Sequence, residues 1–218
     1  MLTRPIETHR AGASRSATLS EADPITTEVV RHALNSAANQ MKRALIRTAF
    51  SPVIYEVLDF AVAIFDRDVQ LLAQAPSMPH FLGRLSFCVE GALEALEGED
   101  GFEPGDIVLF NVPYSTGAHP QDAAVVMPVF LRDAELIGYA TVIGHWLDIG
   151  GKEPYSTDTV DVFQEGTIFP GVKLYSRGEL VRDVYRMVLA NSRVPKMVAG
   201  DINAEIVAVR VGVRSMAS

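Results

Sequence analysis

The sequence predicts an α+β fold in which antiparallel β-hairpins pack with long helices. Apolar residues recur at helical spacing before Phe50 and again after Asp201, which predicts amphipathic helices near both ends. Between them, β-rich apolar runs are separated by short polar turns, which predicts hairpins. The chain has 218 residues, of which 48% are hydrophobic and 21% charged, an ordinary composition for a packed globular protein.

Helical periodicity predicts four helices, at about residues 23–50, 80–96, 183–192 and 201–218. The first has Pro24 at an early position and Thr26 or Thr27 able to cap its N-terminus. The last remains apolar-periodic up to the end of the sequence, with no glycine or proline to close it. We therefore expect the first and last helices to present apolar faces to other chains.

Two hairpins and one further strand are predicted between these helices. In the first hairpin, apolar runs flank residues 66–68, and a strand then follows the turn at residues 104–105. In the second hairpin, the arms are "AAVVMPVFL" and "LIGYATVIGHW", with the turn centred between Asp133 and Ala134. Pro128 in the first arm indicates an edge strand or a bulge. The segment after this hairpin is expected to be irregular.

Charge and hydropathy argue against two classes of partner. The net charge is −8 and no run rich in Lys or Arg occurs, which argues against nucleic-acid binding. The longest uninterrupted apolar run is far too short to cross a bilayer. We therefore expect neither nucleic acid nor a membrane as a partner.

The single cysteine and the first residues bear on localisation. Cys88 cannot form an intrachain disulfide, which fits a reducing, cytoplasmic compartment. It lies on the apolar face of a predicted helix, so we interpret it as a buried thiol rather than a nucleophile. Residues 1–21 are polar and lack the apolar region of a secretory signal. We interpret them as a disordered leader rather than as a transit peptide.

Two histidines and two aspartates lie near the ends of the second hairpin's arms. An even-membered loop places Asp122 opposite His145 and His119 opposite Asp148, with opposed Cβ atoms about 4.5–5.5 Å apart. A three-residue loop shifts this register by one. In a regular strand His119 and Asp122 face opposite sides, but the nearby glycine and proline favour an irregular segment, which can turn both inward.

Mixed histidine and aspartate ligands suit a divalent ion such as zinc, manganese or iron. Three such ligands with open positions are typical of a catalytic site, where a bound water or a substrate carbonyl is activated. The adjacent Gly150 and Gly151 let backbone approach a ligand closely. The alternative is a polar hairpin end with ordinary hydrogen-bonded histidines.

Seven segments follow one another along the chain: "DPITTEVVRHAL", "RTAFSPVIYEVLDFAVAIFD", "PHFLG", "PGDIVLFNVPYSTGAHPQDAAVVMPVF", "GHWLDIGG", "FQEGTIFPGVKLY" and "LANSR". In this order they resemble the hydantoinase B/oxoprolinase family, which includes the alpha-type subunits of acetone and acetophenone carboxylases. The resemblance runs from about Asp23 to the C-terminus. It implies that residues 22–218 are the N-terminal part of a hydantoinase B-like domain whose C-terminal part is absent.

The resemblance also implies a set of site residues. In the carboxylase members, the metal is held by an H-x-x-D pair and a later histidine, which the resemblance places here at His119, Asp122 and His145. Asp148 matches an acidic position that stands behind these ligands or replaces one, and His80 in "PHFLG" matches a recurring histidine; both are candidate catalytic residues. Val112 departs from the family, which commonly has aspartate in "NVPY", and the change affects activity or substrate range if that acid orients a ligand.

The function implied is that of a metal-binding subunit of an ATP-dependent hydrolase that opens cyclic amides such as hydantoin, N-methylhydantoin or 5-oxoproline. ATP is then bound by a hydantoinase A-type partner in a hetero-oligomer, and this chain carries no G-x-x-x-x-G-K-[ST] loop. The substrate is a small carbonyl compound. Two alternatives are a subunit of an ATP-dependent ketone carboxylase and a non-catalytic assembly subunit or truncated remnant.

Overall fold

The structure, a computed structural model, describes residues 23–81, 83–96, 101–132, 135–154, 156 and 158–218. The predictions for residues 1–21 and for the turn between Asp133 and Ala134 lie outside these residues. The described helices are α1 (Pro24–Thr48), α2 (Pro52–Tyr55), α3 (Leu85–Leu96), α4 (Pro113–Thr116), α5 (Arg182–Ala190) and α6 (Pro195–Met216). The described strands are β1 (Phe60–Asp66), β2 (Leu71–Gln74), β3 (Ile107–Phe110), β4 (Asp122–Leu131), β5 (Glu135–His145), β6 (Pro170–Ser176) and β7 (Glu179–Leu180).

One antiparallel sheet holds these strands in the order β2-β1-β5-β4-β3-β6-β7. Its central strands are buried on both faces. Val125 packs into the core that α1 and α6 cover, whereas the next residue, Val126, packs into the core around α3. The predicted α+β class, with antiparallel hairpins and packed helices, is confirmed.

The helices match the predicted number of long segments but differ at their starts. Asp23 caps α1, accepting a hydrogen bond from the backbone N of Thr26 at 3.1 Å, so the prediction of a threonine cap was wrong. The second predicted helix begins at Leu85, because His80 lies in a separate 3-10 turn. The last begins earlier than predicted, at Pro195, a residue that suits the first turn of a helix.

Pro128 lies in an interior strand, so the prediction of an edge strand was wrong. The pairing of β4 with β3 ends at Val126, and no β3 residue therefore needs the N–H that Pro128 lacks. The alternative, a bulge, is confirmed close by. Val129 pairs with Gly138 and Phe130 with Leu136, which leaves one extra residue on β5.

The segment after the second hairpin is more regular than expected. β6 pairs with β3 and with β7, and Arg177 and Gly178 between β6 and β7 both have positive φ, 52° and 84°. Two consecutive residues with positive φ are typical of a tight hairpin turn. The dipeptide Arg-Gly predicts such a turn less strongly than Asn-Gly or Asp-Gly does.

Two further expectations concern burial. Cys88 is buried as predicted, and burial raises the pKa of its thiol to about 12. At the start of α1, Ile25 and Val29 are exposed, so this apolar end of the helix is uncovered in the chain alone. Within the described residues, no helix has the length and apolar character needed to cross a membrane.

Candidate functional site

The candidate site is centred on the open end of the β4–β5 hairpin. Asp122, the first residue of β4, pairs with His145, the last residue of β5, as predicted. The His145 Nδ1 donates to Oδ1 of Asp122 over 2.7 Å, and the backbone N of His119 donates to Oδ2 over 3.0 Å. The side chains of Asp122 and His145 are 4% and 12% exposed. One buried carboxylate therefore fixes both histidine-bearing segments.

The register at this end results from two opposing shifts. Leu131 pairs with Glu135, so the two arms are joined by an odd number of residues, which alone shifts the pairing by one. The bulge at Ile137 adds a residue to β5 and restores the predicted pairing. Asp122 therefore meets His145 although the loop is not even-membered.

His119 does not face Asp148, and this part of the prediction was wrong. It precedes β4 in an irregular segment, and its Nδ1 lies 3.0 Å from Oε2 of Glu165. Its side chain is 71% exposed. Gln121 ties the same region together by donating to the backbone carbonyl of Glu165 over 2.7 Å. The site thus contains a second histidine–carboxylate pair, and the only sequence signal for Glu165 is its place in "FQEGTIFPGVKLY".

Asp59 is a further acid that sequence reasoning missed. Its backbone carbonyl accepts from the backbone N of His145 over 3.0 Å, and its Oδ1 lies 3.7 Å from Nε2 of His80. That oxygen is buried and has no hydrogen-bond partner among the described residues. Burial raises the pKa of Asp59, an effect that the nearby histidines oppose and the charge of Asp122 reinforces. His80 is thus placed against Asp59, close to the Asp122–His145 pair.

The backbone before Asp59 is strained. Leu58 has φ of 61°, the left-handed region that non-glycine residues rarely adopt. The backbone N of Phe60 donates to the carbonyl of Leu58, which forms a tight turn around Asp59. Strain of this kind is common at functional sites, where surrounding structure holds a side chain in an otherwise costly position.

Asp148 holds a loop rather than meeting His119. Its side chain is 1% exposed, and its Oδ2 accepts from the backbone N of Arg193 over 2.5 Å. Its Oδ1 accepts from the Arg193 guanidinium at 2.5 Å and from the backbone N of Gly150 at 3.2 Å. Arg193 also donates to the carbonyl of Gly151. This network fixes the loop after β5 against the connection between α5 and α6.

We expect Arg193→Met to lower the free energy of unfolding by about 2 kcal/mol, because it leaves the buried Asp148 carboxylate without its charged donor. Urea denaturation followed by circular dichroism measures the change. Arg186→Met is the matched control, since Arg186 pairs with Asp183 on the surface and its loss should leave the midpoint unchanged. Equal midpoints for the two variants would contradict a stabilising role of Arg193.

Val112 lies directly before α4 and packs on the core around α3. Its side chain supplies no cap hydrogen bond to α4, whereas aspartate is among the preferred residues at such a position. Valine at this position thus supplies no oxygen acceptor next to the segment that carries His119 and makes an apolar contact instead.

The donor types at the site fit a divalent metal. Imidazole nitrogen and carboxylate oxygen suit zinc, manganese or iron, and the buried, unpaired Oδ1 of Asp59 is an acceptor that a cation satisfies. Side-chain positions are less favourable: within the described ranges, no three His, Cys, Asp or Glu side chains are grouped closely enough to hold an ion. The chemistry of the residues, not a preformed cage, supports the metal.

A cleft of about 350 Å³ opens beside His119 and Glu165. Residues from the α4 segment, from the 3-10 turn Val162–Gln164 and from the loop before that turn line it, among them Tyr114, Thr159 and Val162. Tyr114 is 87% exposed at its rim. The cleft places a solvent-accessible histidine in a space of the size that a small molecule occupies.

The model of the hydantoinase B/oxoprolinase family matches residues 23–218. The chain belongs to the hydantoinase B/oxoprolinase family. The match begins where the sequence resemblance begins, at Asp23, and covers every segment on which that resemblance rests.

Relatives within the family include the B-type subunit of a putative D-/L-hydantoinase of Pseudomonas sp. (strain NS671), which is 38% identical over 199 residues, or 89% of this chain and 33% of the relative. The crystal structure of the ATP-dependent caprolactamase from Pseudomonas jessenii superposes with a TM-score of 0.79 at 34% identity, over 90% of this chain and 34% of that one. The chain therefore spans about a third of the length of these family members.

A more distant structure shares the fold alone. The nucleotide-free structure of acetone carboxylase superposes with a TM-score of 0.82 at 20% identity, over 93% of this chain and 27% of that one. The sheet and helices of this hydantoinase B-like chain are thus common to proteins whose names denote different reactions.

Proposed function

We propose that this chain is a metal-binding, hydantoinase B-type subunit of an ATP-dependent hydrolase that opens cyclic amides such as hydantoin, N-methylhydantoin or 5-oxoproline. The observation that carries the proposal is the shared carboxylate of Asp122, which binds the His145 ring and the backbone of His119. Relatives named as a hydantoinase subunit and as an ATP-dependent caprolactamase support a cyclic amide as the substrate class.

His119, Asp122 and His145 are the proposed ligands of a zinc, manganese or iron ion, and Asp59, whose buried Oδ1 accepts no hydrogen bond among the described residues, is a further candidate. Such an ion supplies polarisation of a substrate carbonyl or activation of water when it is bound. Among the chain's own residues, Glu165 orients the ring of His119 and Asp122 orients that of His145.

The proposed role of His80 is proton transfer, since its half-exposed ring lies beside Asp59. The proposed role of Asp148 is indirect: bound to Arg193, it holds the loop that follows His145. Neither residue contacts His119 or Asp122 through the hydrogen bonds found in the described chain.

The proposed partner is a hydantoinase A-type chain that binds ATP, within a cytoplasmic hetero-oligomer. The relative named as one subunit of a hydantoinase supports an assembly of unlike chains. The cleft beside His119 is the proposed entry for the small carbonyl substrate.

The metal assignment is tested by elemental analysis of the purified protein beside His119→Ala. We expect a bound divalent ion in the wild type and a clear loss of metal content in the variant, since even the loss of a residue behind a ligand lowers metal affinity by about 10- to 100-fold. His32→Ala is the matched control, since His32 is exposed on α1, and it should keep its metal. Equal metal content in wild type and His119→Ala, with intact circular dichroism, would overturn the assignment.

The reaction is tested with the hydantoinase A-type partner present. ATP-dependent ring opening of a cyclic amide, lost in His145→Ala, supports the proposal. Bicarbonate-dependent ATP turnover on a ketone, with none on hydantoins, selects the carboxylase alternative. A His145→Ala variant as active as wild type selects the non-catalytic alternative.

A further inference from the structure

Two buried acids on α6 contact the segments that build the candidate site. Asp201 and Glu205 lie one helical turn apart and are fully buried, a costly arrangement for carboxyl groups unless they are bonded. Asp201 Oδ1 accepts from the backbone N of Phe50 at 2.8 Å and of Ser51 at 3.0 Å. Glu205 Oε1 accepts from Nε1 of Trp146 at 2.9 Å. The two acids thus bind different parts of the chain.

Glu205 contacts β5 on both sides of His145. Trp146, its hydrogen-bond donor, directly follows His145. Gly144 directly precedes it, and a Cβ added to Gly144 would lie only 2.4 Å from Oε1 of Glu205. Glycine at this position therefore lets the carboxyl group lie against the strand, and the His145 backbone is fixed from both neighbouring residues.

Asp201 contacts the segment that leads to Asp59. Ser51, which it binds, is the residue directly before α2. The carbonyl of Val53 in α2 accepts from the backbone N of Asp59 over 3.0 Å, and the carbonyl of Asp59 accepts from the backbone N of His145 over 3.0 Å. Through these contacts α6 is linked both to the segment that carries Asp59 and to the end of β5 that carries His145, and these two are also bonded to each other.

We propose that Asp201 and Glu205 are positioning residues for Asp59 and His145 respectively, and that Glu205 holds the His145 ring in its bond to Asp122. The proposal rests on the proposed function only in taking those two residues as part of the site. Neither acid contacts the cleft beside His119, so a role in binding substrate there is not implied.

The surroundings of Glu205 decide which substitution imitates it. Ser51 Oγ, Asp201 Oδ2 and Glu205 Oε2 are buried and have no hydrogen-bond partner within the described chain. Burial raises the pKa of Glu205 well above its usual range; the bond from Trp146 opposes this and the charge of Asp201 adds to it. Glutamine keeps the Oε1 acceptor for Trp146 and the size of the side chain, whereas leucine keeps only the size, so glutamine is the close mimic.

The experiment compares Glu205→Gln with Glu205→Leu by NMR of the His145 imidazole in full-length, metal-free protein. The Nδ1 proton that His145 donates to Asp122 is the probe, assigned by its absence in His145→Gln. We expect Glu205→Leu to shift the His145 ring signals and to speed exchange of this proton by about tenfold or more, because the bond to Asp122 is loosened. Glu205→Gln should keep the wild-type signals.

Val108→Ala is the matched control, because this buried residue packs on the α3 side of the sheet and its truncation destabilises the protein without contacting α6. It should leave the His145 signals unchanged. A folded Glu205→Leu variant with wild-type His145 signals would overturn the proposal, and so would Glu205→Gln signals displaced as far as those of Glu205→Leu.

Trp146→Phe keeps the test decisive if Glu205→Leu does not fold. This variant removes the indole donor together with part of the ring volume, and Val108→Ala controls for the cavity. Altered His145 signals in Trp146→Phe, with those of Val108→Ala unchanged, support the proposal, and unaltered signals refute it. The measurement needs neither metal nor partner, and the ligand assignment is tested by elemental analysis alone. Failure of the positioning role and failure of the proposed function are therefore distinguishable.

Discussion

Asp122→Ala is expected to lower the free energy of unfolding by about 3–5 kcal/mol and to abolish divalent metal binding. The buried carboxylate accepts from the His145 ring and from the backbone N of His119, and its removal leaves both donors without their charged acceptor. It also removes one of the three proposed ligands. Urea denaturation measures the first effect, and elemental analysis of the folded variant measures the second.

Two comparisons make this expectation specific. Asp122→Asn keeps the shape of the side chain but places a donor group where one of two acceptor oxygens stood, so its loss of stability should be smaller. Asp158→Ala removes an acid that pairs with Lys152 on the surface, and its unfolding midpoint should match that of wild type. If Asp122→Ala unfolds at the same urea concentration as Asp158→Ala, Asp122 is not the anchor of the site.

Gly151→Ala is expected to reduce turnover in the proposed reaction by about a hundredfold, because small displacements of site residues have effects of this size. A Cβ on Gly151 would lie 2.4 Å from the backbone O of Glu165 and 2.9 Å from that of Gln164. The segment that carries Glu165 must therefore move, and with it the partner of His119. The proposed ATP-dependent ring opening, assayed with the proposed hydantoinase A-type partner, measures turnover, and NMR of the His119 ring measures the displacement.

Gly138→Ala is the matched control for Gly151→Ala. It introduces a similar clash, with a Cβ 2.1 Å from the backbone O of Phe65, at the end of β5 far from His145. We expect a comparable loss of stability, with turnover per folded molecule preserved below the unfolding temperature. Equal losses of turnover in the two variants would attribute the effect to general destabilisation and not to the Glu165 segment.

The elements built from local patterns are those that the sequence predicts well. The helical period before Phe50 and the β-rich arms around Pro128 each depend on side chains a few positions apart. The nearness of Asp122 to His145 follows from the same local pattern, because a hairpin brings near neighbours in sequence together. Their exact pairing also depends on the bulge at Ile137, which offsets the odd-membered loop and which residue spacing does not predict.

The remaining contacts join residues that no local pattern relates. His119 meets Glu165 across 46 positions, with the β4–β5 hairpin between them, and Asp148 meets Arg193 across 45, with β6, β7 and α5 between them. The sequence rules for strands and helices describe periods of two and 3.6 residues and contain no information on such pairs. For this reason the sequence predicts that Asp148 faces His119, whereas in the structure Asp148 binds Arg193.

Glycine offers a similar lesson. Gly150 and Gly151 suggested backbone in close approach to a ligand, whereas in the structure their open faces meet Asn191 and Glu165 of the same chain. A glycine in the sequence indicates that another group approaches the backbone closely, but it does not show whether that group is a ligand or part of the same chain.

The bulge at Ile137 makes the register at the site end of the hairpin less dependent on the length of its distal loop. Because the extra residue lies between the distal loop and the site, a deletion of one residue near Leu131 can be absorbed by loss of the bulge, and an insertion by a second one. We expect the pairing of Asp122 with His145 to survive either event. The distal loop is thus a place where family members can diverge in length, or where a tag can be inserted, at little cost to the chemistry at the opposite end.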